Sequence, residues 1–158
     1  TLAVLDLMCS EFLDVENLPK SKIKNLRLIG CEFDPSTLPQ CKSLCAIELD
    51  HVILTKEVPQ LSPLTNLNYL VLVDCGLHSI SFAKGLYNLQ IFNVCENPLK
   101  VTSLTQPTQE YPQELACLAD MPNLLELCMN QEIIANLSNY CKPIQTQFPK
   151  VYTDMLRR

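Results

Sequence analysis

Apolar residues recur along most of the chain at a fixed spacing. An eleven-residue frame with apolar residues at positions one, four, six and eleven begins at Leu2, Ile23, Leu44, Leu67 and Leu89, at intervals of 21, 21, 23 and 22 residues. The fourth copy reads LNYLVLVDCGL. This spacing fits neither the plain alternation of a single strand nor an amphipathic helix. It is typical of leucine-rich repeats, whose period is about 20 to 29 residues.

Repeats of this period predict an α/β fold, a right-handed leucine-rich repeat solenoid. Each frame would form one short strand, and neighbouring strands would stack into a curved parallel sheet on the concave face. The segments between strands are too short for long helices, so we expect turns, 3₁₀ pieces or short helices on the convex face. Residues 1–99 would therefore contain five repeats around a shared core of aliphatic side chains.

The remaining chain departs from the frame. The pattern divides it into a polar inserted loop (100–110), a C-terminal cap with a sixth strand (111–134) and a tail whose structure it does not predict (135–158). Pro112 suits the first turn of a cap helix, and Pro122 would end that helix before the strand. Leu115, Leu118 and Ala119 would share the buried face of the helix.

Two segments of the C-terminal third carry a family resemblance. CENPL (95–99) is similar to the ending of the last regular repeat in the SDS-type leucine-rich repeat family, and YPQELACLADMPNLLELCMNQEI (111–133) is similar to the cap of that family. With its repeat of about 22 residues, this family includes the spliceosomal A-prime protein, the acidic nuclear phosphoproteins and phosphatase-regulatory repeat subunits. The resemblance implies a helical C-terminal cap and a role as an adaptor or assembly subunit of a larger complex.

Charge bears on the class of partner. Twelve Lys and Arg residues stand against 17 Asp and Glu, for a net charge of −5, and no predicted strand face is basic. Phosphate backbones are bound mainly by clustered Lys and Arg, so the composition disfavours direct contact with nucleic acid. A nucleic-acid-associated domain of an RNA-processing or export factor stays the alternative function. No apolar run reaches the 18 or so residues of a membrane span, so no membrane contact is predicted.

The nine cysteines are explained largely by the frame. Position nine, a structural slot whose side chain bonds the backbone of the turn, holds Ser10, Cys31, Cys75 and Asn97. Cys41 and Cys45 are the nearest pair and lack zinc-finger spacing, so no metal or other cofactor is predicted. An odd number of cysteines favours a reducing compartment, the cytoplasm or the nucleus.

Catalytic motifs do not appear in the sequence. It contains no glycine-rich phosphate loop and no GxSxG, and His51 and His78 are interpreted as surface histidines after two adjacent strands. We therefore do not expect an enzyme.

Positions three, five and seven of each strand would point away from the core and form a partner-binding face. The residues predicted to bind there are Ile29, Arg27, Glu48, Asp50, Tyr69, Val71, Val73, Ile91, Asn93 and Cys95. The apolar members from the fourth and fifth repeats would form one exposed patch with acidic neighbours, which predicts a partner peptide or helix with an apolar face and basic residues. Alternatively, residues 100–109 or the tail at 147–156 would cover the patch.

Overall fold

The computed structural model describes residues 3–8, 12–13, 16–147 and 150–153. Within these residues the main feature is a seven-stranded sheet in the order β1-β3-β5-β7-β8-β9-β10, in which every neighbouring pair is parallel. Its strands are β1 (Val4–Met8), β3 (Asn25–Ile29), β5 (Ala46–Asp50), β7 (Tyr69–Val73), β8 (Ile91–Asn93), β9 (Glu126–Met129) and β10 (Lys150–Thr153). A second sheet consists of β2 (Phe12–Leu13), β4 (Glu32–Phe33) and β6 (Ile53–Leu54). The predicted α/β fold with a parallel sheet is confirmed.

Alternate residues of the strands are buried, as the sequence pattern predicts. In β3, Leu26 and Leu28 are fully buried, whereas Arg27 between them is only partly covered. Successive side chains of a strand point to opposite faces, so a strand with alternate leucines has one core face. Leu26 pairs with Ile47 of β5, and Ile47 pairs with Leu70 of β7. The apolar residues therefore stack in continuous rows, and the core lies behind the sheet.

Short 3₁₀ helices occupy several of the segments that return from one strand to the next. They span Leu18–Lys20, Pro35–Gln40 and Ser81–Ala83. The second begins after Asp34, whose carboxylate accepts a hydrogen bond from the backbone N–H of Ser36 and so caps the helix. Leu38 and Phe82 point from these helices into the core.

The C-terminal segment contains three helices in the described residues. A 3₁₀ helix spans Gln113–Asp120, and α1 (Gln131–Tyr140) and α2 (Lys142–Gln147) follow β9. The predicted shared face of Leu115, Leu118 and Ala119 is wrong for Ala119, which is exposed while the two leucines are buried. A 3₁₀ helix has three residues per turn, so positions 115 and 118 align and position 119 turns outward.

The polar segment 100–110 lies against the C-terminal helices. The Leu104 backbone N–H donates to Asn136 Oδ1 of α1 over 2.8 Å, and Asn136 Nδ2 donates to the Leu104 carbonyl over 3.0 Å. Thr108 forms a parallel bridge with Cys141. Beyond α2, β10 extends the main sheet by pairing with β9. None of the helices in the described part of the chain has the length and apolar character needed to cross a bilayer.

Asn97 anchors the turn after β8 and is only 1% exposed. Its Oδ1 accepts hydrogen bonds from the backbone N–H groups of Cys75 and Leu77, each over 3.0 Å, so it satisfies the turn after β7. Its Nδ2 donates to the Leu72 carbonyl over 2.6 Å and to two carbonyls of its own turn. One side chain therefore links two successive turns.

The cysteines of the same slot make weaker bonds of the same kind. Cys31 Sγ donates to the Ile29 carbonyl, and Cys75 Sγ donates to the Val73 carbonyl, both over 3.3 Å. Ser10, predicted for this slot in the first repeat, lies outside the described residues.

We expect Asn97→Ala to lower the free energy of unfolding by about 2 to 4 kcal/mol, because it leaves two buried N–H groups without an acceptor. Urea denaturation followed by circular dichroism measures the change. The matched control is Asn88→Ala, which removes an exposed amide that donates to Thr65 of the previous turn; it should cost less than about 1 kcal/mol. Equal losses for the two variants would contradict the role given to Asn97.

Candidate functional site

The outer face of the main sheet is the face opposite the core, formed by positions three, five and seven of the strands. Burial on this face increases from β3 towards β9. At position five, Arg27 and Glu48 are partly exposed, whereas Val71 and Asn93 are 3% and 1% exposed. Cys95, at position seven, is 5% exposed. The prediction that Val71 and Cys95 belong to an exposed apolar patch is therefore wrong, and Asn93, predicted to bind a partner on this face, is buried as well.

The turn after β8 is held close to β9. The strand ends at Asn93, whose Oδ1 accepts a hydrogen bond from the Cys95 backbone N–H over 3.0 Å. The Val94 N–H donates to the Cys128 carbonyl of β9 over 2.9 Å. The bond from Val94 holds the turn against β9, and the bond to Asn93 fixes the turn itself.

The other predicted binding residues keep partial exposure. These are Ile29, Arg27, Glu48, Asp50, Tyr69, Val73 and Ile91. The structure brings Glu48, Asp50 and Val73 together around a cavity of about 240 Å³, which we call the outer-face cavity. Its lining consists of Glu48, Asp50, His51, Val71, Val73, Asn93, Cys95, Glu96 and Cys128. The apolar residues of β7 thus line a small recess instead of a flat patch.

Towards β1 the outer face is charged and its charges are paired. Arg27 lies between Asp6 and Glu48, with Nη1 3.2 Å from Asp6 Oδ2 and Nε 3.3 Å from Glu48 Oε1. The hydrogen bond to Glu48, followed by that to Asp6, raises the pKa of Arg27. All three side chains are substantially exposed, so the ion pairs contribute little to stability. Their main effect is to set the charge pattern beside the cavity.

Asp50, His51 and Glu96 of the lining form what we call the mouth of the cavity, and Asp74 lies beside His51 outside the lining. His51 Nδ1 lies 2.6 Å from Asp50 Oδ1, and His51 Nε2 lies 3.4 Å from Asp74 Oδ2. The hydrogen bond to Asp50 is the largest cause of a raised His51 pKa, and the negative charges of Asp74 and Glu96 act in the same direction. The mouth therefore attracts positive charge.

The sequence-based prediction missed His51, Asp74, Glu96 and Cys128; of these, Asp74 contacts His51 and the other three line the cavity. His51, Asp74 and Glu96 follow the strands at position eight, where the backbone is left-handed, with φ of 52°, 48° and 60°. Gly30 occupies the same position after β3, with φ of 64°. A glycine at position eight of one repeat could have indicated that the backbone is left-handed at this position in every repeat, because glycine adopts positive φ without strain.

The most exposed apolar residues of the outer face were also missed. Val4 and Met8 of β1 are 49% and 75% exposed. Among the described strands, β1 stands at one end of the sheet and pairs only with β3.

Three further observations define the chemistry of the described residues. A groove of about 490 Å³ lies between residues 54–58 and 75–82, but its lining mixes polar and apolar groups without a charged cluster like that of the outer-face cavity. Burial raises the pKa of the Cys41 thiol to about 11 and those of Cys75 and Cys117 to about 12. These thiols are protonated at neutral pH and are poor nucleophiles. In the described part of the chain, no group of three or more His, Cys, Asp or Glu residues could hold a metal ion.

No protein-family model matches the chain, and no curated protein matches it in sequence.

The pKa of His51 should lie above its ordinary value of 6.5 in the folded protein. Asp50→Asn should lower it towards that value, and Asp74→Asn should lower it less, because the hydrogen bond to Asp50 is the larger cause. The stabilising effect of the raised pKa is fully present below the unfolded pKa and is lost as the pH rises through the folded one. Titration of the imidazole C–H resonance by NMR measures both shifts, and equal effects of the two variants would contradict this assignment.

Proposed function

We propose that the protein is a protein-interaction module, an adaptor or assembly subunit of a larger complex, whose partner binds the outer face. The carrying observation is the outer-face cavity, which combines an apolar wall with an acidic mouth. In this proposal the fold is a leucine-rich repeat solenoid, the outer face is its concave side, and a helical element caps its C-terminal end.

The pairing of the strands supports the repeat. Ala46 of β5 pairs with Tyr69 of β7, and Tyr69 pairs with Ile91 of β8, which are the position-three residues of three successive frames. The 3₁₀ segments between strands and the turn bonds of Cys31, Cys75 and Asn97 agree with the same scheme.

The chemistry of the cavity supports a partner of a particular kind. Val73 offers a partly exposed aliphatic wall, while Glu48, Asp50 and Glu96 place carboxylates around it. Arg27 offsets only the first of these, since it pairs with Glu48. A volume of about 240 Å³ accommodates side chains and not a folded element. The partner would thus be a peptide or helix that inserts an apolar side chain and carries Lys or Arg beside it.

The free energies of burial and association indicate that the partner needs both the apolar wall and the acidic mouth. If a partner covered about 40 Å² of apolar surface on each of Tyr69, Val73 and Ile91, burial would contribute about 3 kcal/mol. Association costs an estimated 4 to 15 kcal/mol. The apolar wall alone is insufficient, so the acidic mouth must contribute charge-assisted contacts, and binding should weaken as salt screens them.

The proposed role is binding and not catalysis. The raised pKa values of Cys41, Cys75 and Cys117 argue against an activated cysteine at those positions. A reducing compartment, cytoplasm or nucleus, agrees with the odd number of cysteines.

The test uses the wild type and two arginine variants, Val73→Arg and Ile53→Arg, as baits in affinity purification with quantitative mass spectrometry. Val73→Arg fills the cavity wall and neutralises its mouth, so capture of the partner should fall about tenfold or more, equivalent to ~1.4 kcal/mol. Ile53→Arg is the matched control, since Ile53 is 69% exposed in β6 of the other sheet. Val73 is preferred to Val71 because a charge at the buried Val71 would test folding instead of binding.

The expected result is a set of proteins held by wild type and Ile53→Arg but lost with Val73→Arg, and released by moderate salt. Circular dichroism of both variants confirms that each is folded. Retention of the same proteins by all three baits would refute the proposed site. A mobility-shift assay with RNA at low salt separates the alternative class: tight, salt-sensitive binding would favour a nucleic-acid-associated domain.

A further inference from the structure

Two thiols meet on the wall of the outer-face cavity. Cys95 Sγ lies 3.0 Å from Cys128 Sγ, and either sulfur can act as the hydrogen-bond donor. Cys95 follows β8, and Cys128 lies in the adjacent β9. Both side chains are almost fully buried, yet both line the cavity. The two thiols are therefore separated from solvent by the cavity alone.

Backbone contacts hold the two sulfurs together. Asn93 pairs with Cys128 across the two strands, and the Val94 N–H donates to the Cys128 carbonyl. The side chain of Asn93 then accepts from the Cys95 N–H and fixes the turn. The relative position of the two residues is set by this frame and does not depend on the thiols themselves.

Other buried thiols have a different environment. Cys31, Cys75 and Cys117 each direct Sγ at a backbone carbonyl, over 3.3 to 3.5 Å. Such contacts are those of small buried hydrophobic residues with a weak donor. A sulfur–sulfur approach distinguishes Cys95 and Cys128 from them.

We propose that Cys95 and Cys128 form a reversible disulfide and that this pair is a redox modification site. A disulfide bond measures about 2.05 Å, so the sulfurs need to approach by about 1 Å, which small side-chain rotations supply. The bond would close a loop that contains the segment 100–110 and the 3₁₀ helix Gln113–Asp120. It would also fix the wall of the outer-face cavity. The inference concerns the thiols alone and holds whether or not a partner binds there.

The oxidant required is a low-molecular-weight disulfide such as glutathione disulfide. The thiolate of Cys95 attacks one sulfur of glutathione disulfide, forming a mixed disulfide and releasing one glutathione thiolate, which takes up a proton. The thiolate of Cys128 then attacks the Cys95 sulfur and releases the second glutathione. In total, two protons and two electrons pass from the protein to glutathione disulfide. Because both thiols are buried, the first step should be slow in the folded protein.

The experiment incubates the full chain in buffers of defined ratio of reduced to oxidised glutathione, followed by acid quench, alkylation and peptide mapping. We expect one cross-linked peptide pair joining residues 95 and 128, lighter by two hydrogen atoms than the reduced pair and restored by dithiothreitol. The oxidised protein should melt about 5 to 15 °C higher, because the cross-link restricts the unfolded chain.

Matched variants separate the pair from the remaining cysteines. Cys95→Ser and Cys128→Ser should each abolish the cross-link and the rise in Tm, whereas Cys117→Ser should keep both. If the serine variants fail to fold, the peptide map of the wild-type protein decides alone. The proposal is overturned if both thiols are still fully alkylated after incubation with glutathione disulfide, or if Cys95 is joined to a cysteine other than Cys128.

Discussion

Parallel pairing in register is the constraint on which the rest of the structure depends. A strand of this sheet cannot bury its own leucines; Leu26 and Leu28 are buried because Ile47 and Leu49 stack beside them. At β1, where the sheet ends, Leu5 is only half-buried. Burial of the core therefore increases from the edge of the sheet inwards, and each turn that fixes the register contributes to the stability of its neighbours.

This constraint explains what the sequence could predict. The frame predicted which residues face the core, because strand geometry alone sends alternate side chains to opposite sides. It could not predict that Val71 and Asn93 are buried on the outer face, because strand alternation says only that they point away from the core and not what lies beside them. Nor did it predict β10, whose residues continue no frame and are ordered by pairing with β9. The local pattern was therefore sufficient for the strands that follow the repeat frame, whereas burial on the outer face and the pairing of β10 depend on tertiary contacts.

The residues with left-handed backbone after three of the strands are all ionisable. His51, Asp74 and Glu96 occupy a position where a residue with a Cβ costs about 1 to 2 kcal/mol relative to its right-handed form, a cost that Gly30 avoids. The chain accepts this strain three times in succession: His51 and Glu96 line the outer-face cavity, and Asp74 contacts His51. Strained residues of this kind tend to cluster at functional sites. The left-handed backbone therefore brings ionisable side chains close to one another on this side of the sheet.

A single turn, residues 93–97, joins the structural and chemical features of this face. Among the described residues, Asn93 and Asn97 are the buried polar side chains, and both act within this turn. Asn93 holds the backbone of Cys95, and Asn97 Nδ2 donates to the Cys95 carbonyl while its Oδ1 secures the preceding turn. Displacement of the Cys95 backbone would therefore strain buried hydrogen bonds, whereas rotation of its side chain would leave them intact. Cys95 also lines the outer-face cavity. The backbone bonds of Cys95 therefore connect the shape of that cavity to the turn that fixes the register of the sheet.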